Sequence, residues 1–218
     1  SNMPMPGNEV FDSLQYLFNE LLIFLAYHAD AEKTSVRLVV NPEKMVIMET
    51  QRAFTCFNLY GYFTDLVICN RFISNKVKDP YFDYWKKSQA LNYSMIEECF
   101  APLPILSLPL LDQEAVGMPM LRNIGEALYG SEDPAKFFFR GRTQEIQRED
   151  GNYIINLTLP FTAKSDISLT RSNDELIVQV GHFRRNIILP SISRGLSVAG
   201  AKFEDQKLRI LFVTEESK

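Results

Sequence analysis

The chain is poor in the residues that build metal centres and catalytic triads. Its 218 residues include three cysteines and two histidines. Cys56, Cys69 and Cys99 are far apart, and no CxxC pair exists. With only His28 and His182 to add imidazoles, this spacing argues against a zinc site. The odd count and the apolar neighbours of the thiols point to reduced, buried cysteines in a cytosolic protein. The ten glycines form neither GxxxxGK[ST] nor GxGxxG, so no phosphate-binding loop is present. No GxSxG elbow occurs either. A nucleophile-plus-base centre would need a histidine. His28 falls at a helix end and His182 in a hairpin turn, so neither is read as catalytic. No stretch reaches the ~18 to 20 clean apolar residues of a membrane span. The most apolar segment, Val10 to Ala29, is interrupted by Asp12, Asn19, Glu20 and His28. Basic residues hardly cluster, beyond Arg140 with Arg142 and Arg184 with Arg185. A net charge of -4 argues further against a nucleic-acid partner.

What is present is an ordinary globular composition. Hydrophobic residues make up 46% and charged residues 23%, enough apolar side chain for a sizeable core. The length suits one large domain, or one domain and a smaller one. Ser1-Asn2 ahead of Met3 reads as the remnant of a tag and is set aside.

One stretch organises the rest. Leu66-Val67-Ile68-Cys69 is an unbroken apolar run between Asp65 and Asn70, as in a strand buried on both faces of a parallel sheet. Ligands of open α/β sheets bind beyond the carboxyl ends of strands, where Asn70 and Arg71 stand. That pair either reads a ligand or merely ends a strand.

In chain order, Asn8 and Glu9 open a helical pattern as N-cap and first-turn acid. Val10, Phe11, Leu14, Leu17, Phe18, Leu21, Leu22 and Leu25 recur at helical spacing, and Ile23 and Phe24 widen the stripe. In a complete protein this reads as a core helix. The alternative is a groove wall, or a surface left bare by missing sequence. Ser35 to Val40 reads as a strand. Asn41-Pro42-Glu43 then starts a helix that runs to Tyr60 and ends at Gly61, with Met45, Met48, Ala53, Phe54 and Phe57 on its inner face. Strand, helix and strand at this length form a βαβ crossover. Ser74 to Lys78 is a polar loop. Asp79-Pro80 begins a helix to Phe100, and Ala101-Pro102-Leu103-Pro104 breaks it. Ile105 to Leu108 is a third short strand, left by Pro109-Leu110. A last helix spans Pro119 to Tyr129 and closes at Gly130.

The character changes over residues 131 to 150. Beyond Lys136 no helical period persists. Tyr153 to Leu159, Glu175 to Val180, Asn186 to Pro190 and Leu208 to Phe212 read as short strands with turns between them, Gly181 to Arg185 forming one turn. Such spacing implies a small antiparallel β-sandwich. Glu97-Glu98 reads as a solvated pair.

These residues carry a resemblance. Thr34 to Val39, Asn41-Pro42-Glu43-Lys44-Met45 and Glu49-Thr50-Gln51-Arg52 resemble the arsenite-pump (ArsA-like) ATPase family, which also includes targeting ATPases for tail-anchored membrane proteins. The resemblance continues through Val67 to Arg71, Asp79-Pro80, Ala101 to Pro104, Pro109-Leu110, Glu114 to Gly117, Leu121 and Gly125 to Gly130. The β-rich end resembles the α-crystallin-like (small heat-shock-protein-like) domain appended to some bacterial members, through Leu159-Pro160-Phe161, Asp174-Glu175-Leu176 and Arg184 to Pro190.

The resemblance implies an α/β plus all-β protein. Residues 3–135 would be the C-terminal portion of a P-loop-type α/β layer whose N-terminal half is missing, and residues 136–218 the sandwich. The family is ATP-hydrolysing and uses ATP with Mg2+, but its phosphate loop lies upstream of anything here. This piece is therefore expected to be inactive alone, to hold no nucleotide unaided, and to supply the adenine side of the pocket: Asn70, Arg71, Pro109 and Leu110. An asparagine amide offers the donor and acceptor that an adenine edge needs. Arg71 would stack on the base or pair with phosphate. The expected partners are a second copy of the chain, a hydrophobic protein segment or a membrane pump subunit, in the cytoplasm. Asp79 to Ala90 departs from the eukaryotic targeting enzymes, which carry a zinc-binding CxxC there. The arsenite-binding cysteines of the pumps also lack a counterpart. The competing reading is a chaperone-like or protein-interaction module that holds hydrophobic segments on the sandwich and the first helix.

Overall fold

The computed structural model describes residues 7–149, 152–172, 175–188 and 196–214. Ser1-Asn2, Asp174 and Leu189-Pro190 lie outside the described residues. An α/β layer comes first: α1 (Asn8–Ala29), β1 (Val36–Val40), α2 (Lys44–Tyr60), β2 (Thr64–Phe72), α3 (Asp83–Phe100), β3 (Ile105–Pro109) and α4 (Gly117–Tyr129). The three strands form one parallel sheet with β2 in the middle. A central strand has neighbours on both edges and helices over its faces, which is why its apolar run is continuous rather than alternating. Leu66, Val67 and Cys69 are fully buried. Burial pushes the Cys69 thiol up to about 11, so it stays protonated at neutral pH. Leu38, Val40, Ile47, Ile96, Phe100 and Leu103 complete this core.

Two antiparallel sheets follow. One contains β4 (Gln144–Glu149), β5 (Asn152–Thr158), β10 (Lys207–Thr214) and β9 (Leu196–Glu204), in the order β4-β5-β10-β9. The other is the meander β6 (Ile167–Ser172), β7 (Glu175–Val180) and β8 (Phe183–Ile188). Their inward residues alternate as a half-buried strand requires: Leu176, Val178 and Val180 on β7, and Leu208, Ile210 and Phe212 on β10. Asp205 and Gln206 both take positive φ (49° and 60°), the geometry of a tight two-residue hairpin between β9 and β10.

The expected helix ends hold where the turn chemistry is specific. Gly61 caps α2 in the left-handed region at φ 83°, and Gly130 caps α4. Asp79 accepts the Tyr81 N–H ahead of a single 3-10 turn, Pro80–Phe82, which leads into α3.

Five expectations need correction, in whole or in part. The first helix is capped by Gly7 rather than Asn8, and it is no core helix: Leu17 and Phe18 are each 61% exposed. Among the described residues no sheet lies beneath it to cover its apolar sides. The start of α2 is Glu43 and Lys44, two residues later than Asn41-Pro42 suggested, because the Glu43 N–H first closes a turn on the Asn41 carbonyl. Phe54 and Phe57 of the expected inner face do pack on the α/β core, but Met45 is 73% exposed and Met48 is also exposed, and the buried residues are Ile47, Thr50, Thr55, Asn58 and Leu59. The polar members are tolerated inside because Thr50 and Asn58 bond carbonyls one turn back, at Val46 and Phe54. The turn between β7 and β8 is only Gly181-His182, so Phe183 to Arg185 are strand residues.

Helix α2 belongs to both layers. Leu59 sits in the sandwich core, at the opposite end of the helix from Ile47 in the α/β core. The Thr55 hydroxyl donates to the Pro160 carbonyl at 2.6 Å. Arg185 donates to the Leu59 carbonyl at 2.6 Å and to Gln144 Oε1 at 2.9 Å. Burial lowers the Arg185 guanidinium from its ordinary value.

Candidate functional site

The end of β2 is built differently from its beginning. At the start, Asp65 is completely buried and is held by Arg37 of β1, with Nε to Oδ1 at 3.3 Å and Nη2 to Oδ2 at 3.4 Å. The same guanidinium donates to the Tyr129 hydroxyl (3.1 Å) and to the carbonyls of Pro134 (2.6 Å) and Lys136 (2.8 Å). Burial pulls the Arg37 value down, but the Asp65 carboxylate and the Tyr129 hydroxyl outweigh it and the net shift is upward. The Phe138 N–H also bonds Asp65, at 3.1 Å. This end is thus a structural clasp between strand, last helix and the chain entering the sandwich.

At the other end the ladder breaks. Cys69 pairs with Ser107 and Phe72 with Pro109, so two residues of β2 face one of β3, a β-bulge. The two are Asn70 and Arg71. They lie within the strand rather than beyond it, a correction to the reading of residues 65–69. Arg71 adopts φ 59°. A non-glycine residue in that region is strained by roughly 1–2 kcal/mol, and such outliers cluster at ligand sites. The ladder then resumes, with the Leu110 N–H donating to the Phe72 carbonyl at 2.9 Å. Asn70-Arg71 and Pro109-Leu110 therefore stand on the ends of neighbouring strands. Neither the Asn70 amide nor the Arg71 guanidinium has a partner among the described residues.

Two clefts flank this edge. One, of about 530 Å3, is lined by Arg71 together with Glu43, Tyr84, Trp85, Gln89 and Asn92. The other, of about 540 Å3, is lined by Pro109 with Phe72, Ser74, Lys76, Lys78 and Ser107. Helix α3 fixes both strand exits. Gln89, only 5% exposed, accepts the Ile73 N–H at 2.9 Å and donates to the Ile73 carbonyl at 2.7 Å. Asn92 donates to the Pro42 carbonyl at 2.8 Å. The sequence reading passed over Gln89 and Asn92, took Glu43 only as part of a helix start, and treated Lys76 and Lys78 as loop polarity. Only Gln89 left a signal: a lone amide on the inward side of an amphipathic helix. Among the described residues, no group of three or more His, Cys, Asp or Glu is placed to hold a metal ion. No described helix is long and apolar enough to cross a membrane.

Comparison with known proteins agrees with this architecture. The anion-transporting ATPase family matches residues 1–130, and the HSP20-like domain found in ArsA matches residues 150–212. A putative arsenical pump-driving ATPase of Aquifex aeolicus is 35% identical over 214 residues, covering 96% of this chain and 54% of that protein. Proteins of the same description from Chlorobaculum tepidum and Prosthecochloris vibrioformis are each 36% identical over 212 residues, covering 97% of this chain and 52% of theirs. A solved structure of HSP18.5 from E. histolytica superposes with a TM-score of 0.29 at 21% identity, over 34% of this chain and 88% of that one, too slight a likeness to argue from. The chain spans about half the length of the curated relatives it matches. With its parallel layer matched by one family and its β-rich end by the companion domain, this chain belongs to the anion-transporting ATPase family.

Proposed function

We propose that this chain supplies the adenine side of an ATP site in an anion-transporting or targeting ATPase, the phosphate loop coming from an N-terminal half outside residues 1–218. The observation that carries the reading is the strained bulge at Asn70-Arg71 beside Pro109-Leu110. The residues present fit a purine. The Asn70 amide has an unused donor and acceptor, and the Leu110 side chain, 49% exposed, offers an apolar face beside Pro109. Arg71 stacks on the base or meets a phosphate, and Lys76 and Lys78 add positive charge beside Pro109. Bound ATP with Mg2+ would supply the hydrolysable phosphate bond. In this reading the chain alone, working in the cytoplasm, turns over no ATP.

The test uses a protein that joins this chain to a phosphate-loop half. Asn70→Ala there raises KM for ATP by about tenfold and leaves kcat nearly unchanged, because base contacts act equally on ground and transition states. A defect confined to kcat, or ATP turnover by residues 1–218 alone after rigorous purification, refutes the assignment.

A second reading rests on α1. Its bare apolar length suits a protein-interaction surface, taken first by a second copy of the chain and then by a hydrophobic segment of a cargo or pump subunit.

A further inference from the structure

A chamber of about 430 Å3 lies where the α/β layer meets the sandwich, at the amino end of β2. It is therefore at the other end of the sheet from Asn70 and Arg71. Its volume falls in the range of small-molecule sites, roughly 300 to 1,000 Å3. Two aromatic pairs line it. Phe63 stacks on Phe139 with centroids 6.2 Å apart, and Phe54 meets Phe100 edge-on at 5.8 Å. Thr64 also lines it, and Thr64 Oγ1 is buried without a hydrogen-bond partner, the sole such side-chain atom among the described residues. Thr64 is only 3% exposed. A buried hydroxyl with nothing to bond is costly, and folded proteins rarely keep one without a use. At the rim stand Arg142 and Lys207, both exposed and without an ion pair to a described residue. Glu145, the acid on the same lining, already accepts from Gln147 at 3.3 Å.

Apolar rings, one unused hydroxyl and two unpaired cations together describe a ligand. We propose that this chamber binds a small aromatic acid: its ring lies among the phenylalanines, a hydroxyl or carbonyl group meets Thr64 Oγ1, and its carboxylate meets Arg142 and Lys207. Because α2 and β2 of one layer and β5 of the other all reach the chamber, its occupant would stiffen the joint between the layers. The proposal does not depend on the adenine assignment, and its test involves no nucleotide.

The test is an amide NMR titration of the full chain with 4-hydroxybenzoate and, separately, benzoate. Saturable shifts are expected at Leu103, Gly141 and Thr158 at millimolar ligand. Benzoate, which cannot reach Thr64 with a polar group, should bind about fivefold more weakly, the worth of one ordinary hydrogen bond. Thr64→Val removes the hydroxyl but keeps the shape, so it should weaken 4-hydroxybenzoate to the benzoate level and leave benzoate unchanged. Arg142→Gln, on the surface, should weaken both acids alike. The proposal is overturned if those amides do not move, if shifts are confined to α1, or if Thr64→Val retains the preference for 4-hydroxybenzoate.

Discussion

Arg37 joins more of the molecule than any other single side chain in the α/β layer. Its fork reaches the buried Asp65, the Tyr129 hydroxyl and two carbonyls of the segment that leads to the sandwich. It also lies over the rings of Tyr129 and Phe138, at 5.6 and 5.1 Å. Removing it would strand a fully buried carboxylate, which costs far more than the intact pair contributes. Arg37→Ala should therefore lower the unfolding free energy by about 3–5 kcal/mol, measured by urea denaturation. Arg37→Lys should recover little, since an ammonium cannot span the same bidentate geometry. The double change Arg37→Met with Asp65→Leu should recover most of the loss, because no charge is then left buried. A loss under about 1 kcal/mol for Arg37→Ala would mean that Asp65 finds another partner or water. None of this was legible in the residues. Arg37 and Asp65 are 28 positions apart, and their meeting depends on the irregular register at Val36/Arg37. Arg71 is similar: nothing in the letters Cys-Asn-Arg-Phe announces an arginine at positive φ, although a polar pair ending an apolar run coincides with the bulge.

At the scale of elements, the features that could be read are those with local causes. Gly61 and Gly130 end their helices because a positive φ suits glycine, and the run from Leu66 to Cys69 suits a covered strand. The helical phase of α2 was not readable in this way. Apolar residues occupy most sides of that helix, and the true inward face includes Thr50, Thr55 and Asn58, whose polarity hides it. Strand β4 escaped for a related reason: Gln144 to Glu149 holds a single apolar residue, Ile146, and it is 48% exposed. Strand β4 is set by its neighbour's ladder rather than by a pattern of its own, whereas β6 and β9 each hold a short alternation, with Ile167 and Leu169 and with Val198 packed on the sandwich core. The structure's version of α2 makes a sharp comparison. Leu59→Ala should destabilise the sandwich by about 2–5 kcal/mol, as a fully buried leucine does. Met48→Ala, on the face the pattern favoured, should cost less than about 0.5 kcal/mol. Amide hydrogen exchange should show the Leu59→Ala effect in β7 and β10, although Leu59 belongs to the other layer. If the two variants prove alike, or if β7 and β10 keep their protection, α2 is not the shared element described above.

The whole molecule presents more surface than its mass requires. Its accessible area is 15152 Å2 for 25.1 kDa, against roughly 10,000 Å2 for a compact monomer of that size. Many of the exposed large apolar side chains lie on one element. Val10, Phe11, Leu14, Leu17, Phe18, Leu21, Leu22, Ile23, Phe24 and Leu25 of α1 are all more than two-fifths exposed. Among the described residues its C-terminal end is tied to the rest by the Thr34 hydroxyl on the Tyr27 carbonyl, Lys33 over the Tyr27 ring and the His28 ring edge-on to Tyr62. An exposed apolar stripe of this length in water is a strong drive to associate, and a net charge of -4 is a weak brake. The chain alone should therefore show a mass that rises with concentration in multi-angle light scattering. Leu17→Glu with Leu21→Glu places two charges four residues apart on one helical face. That variant should run as a monomer, with β-sandwich stability unchanged, since neither residue touches that core. A monomeric unsubstituted chain at every concentration would mean that α1 folds back onto its own layer in solution, and the protein-interaction reading of that helix would lose its basis.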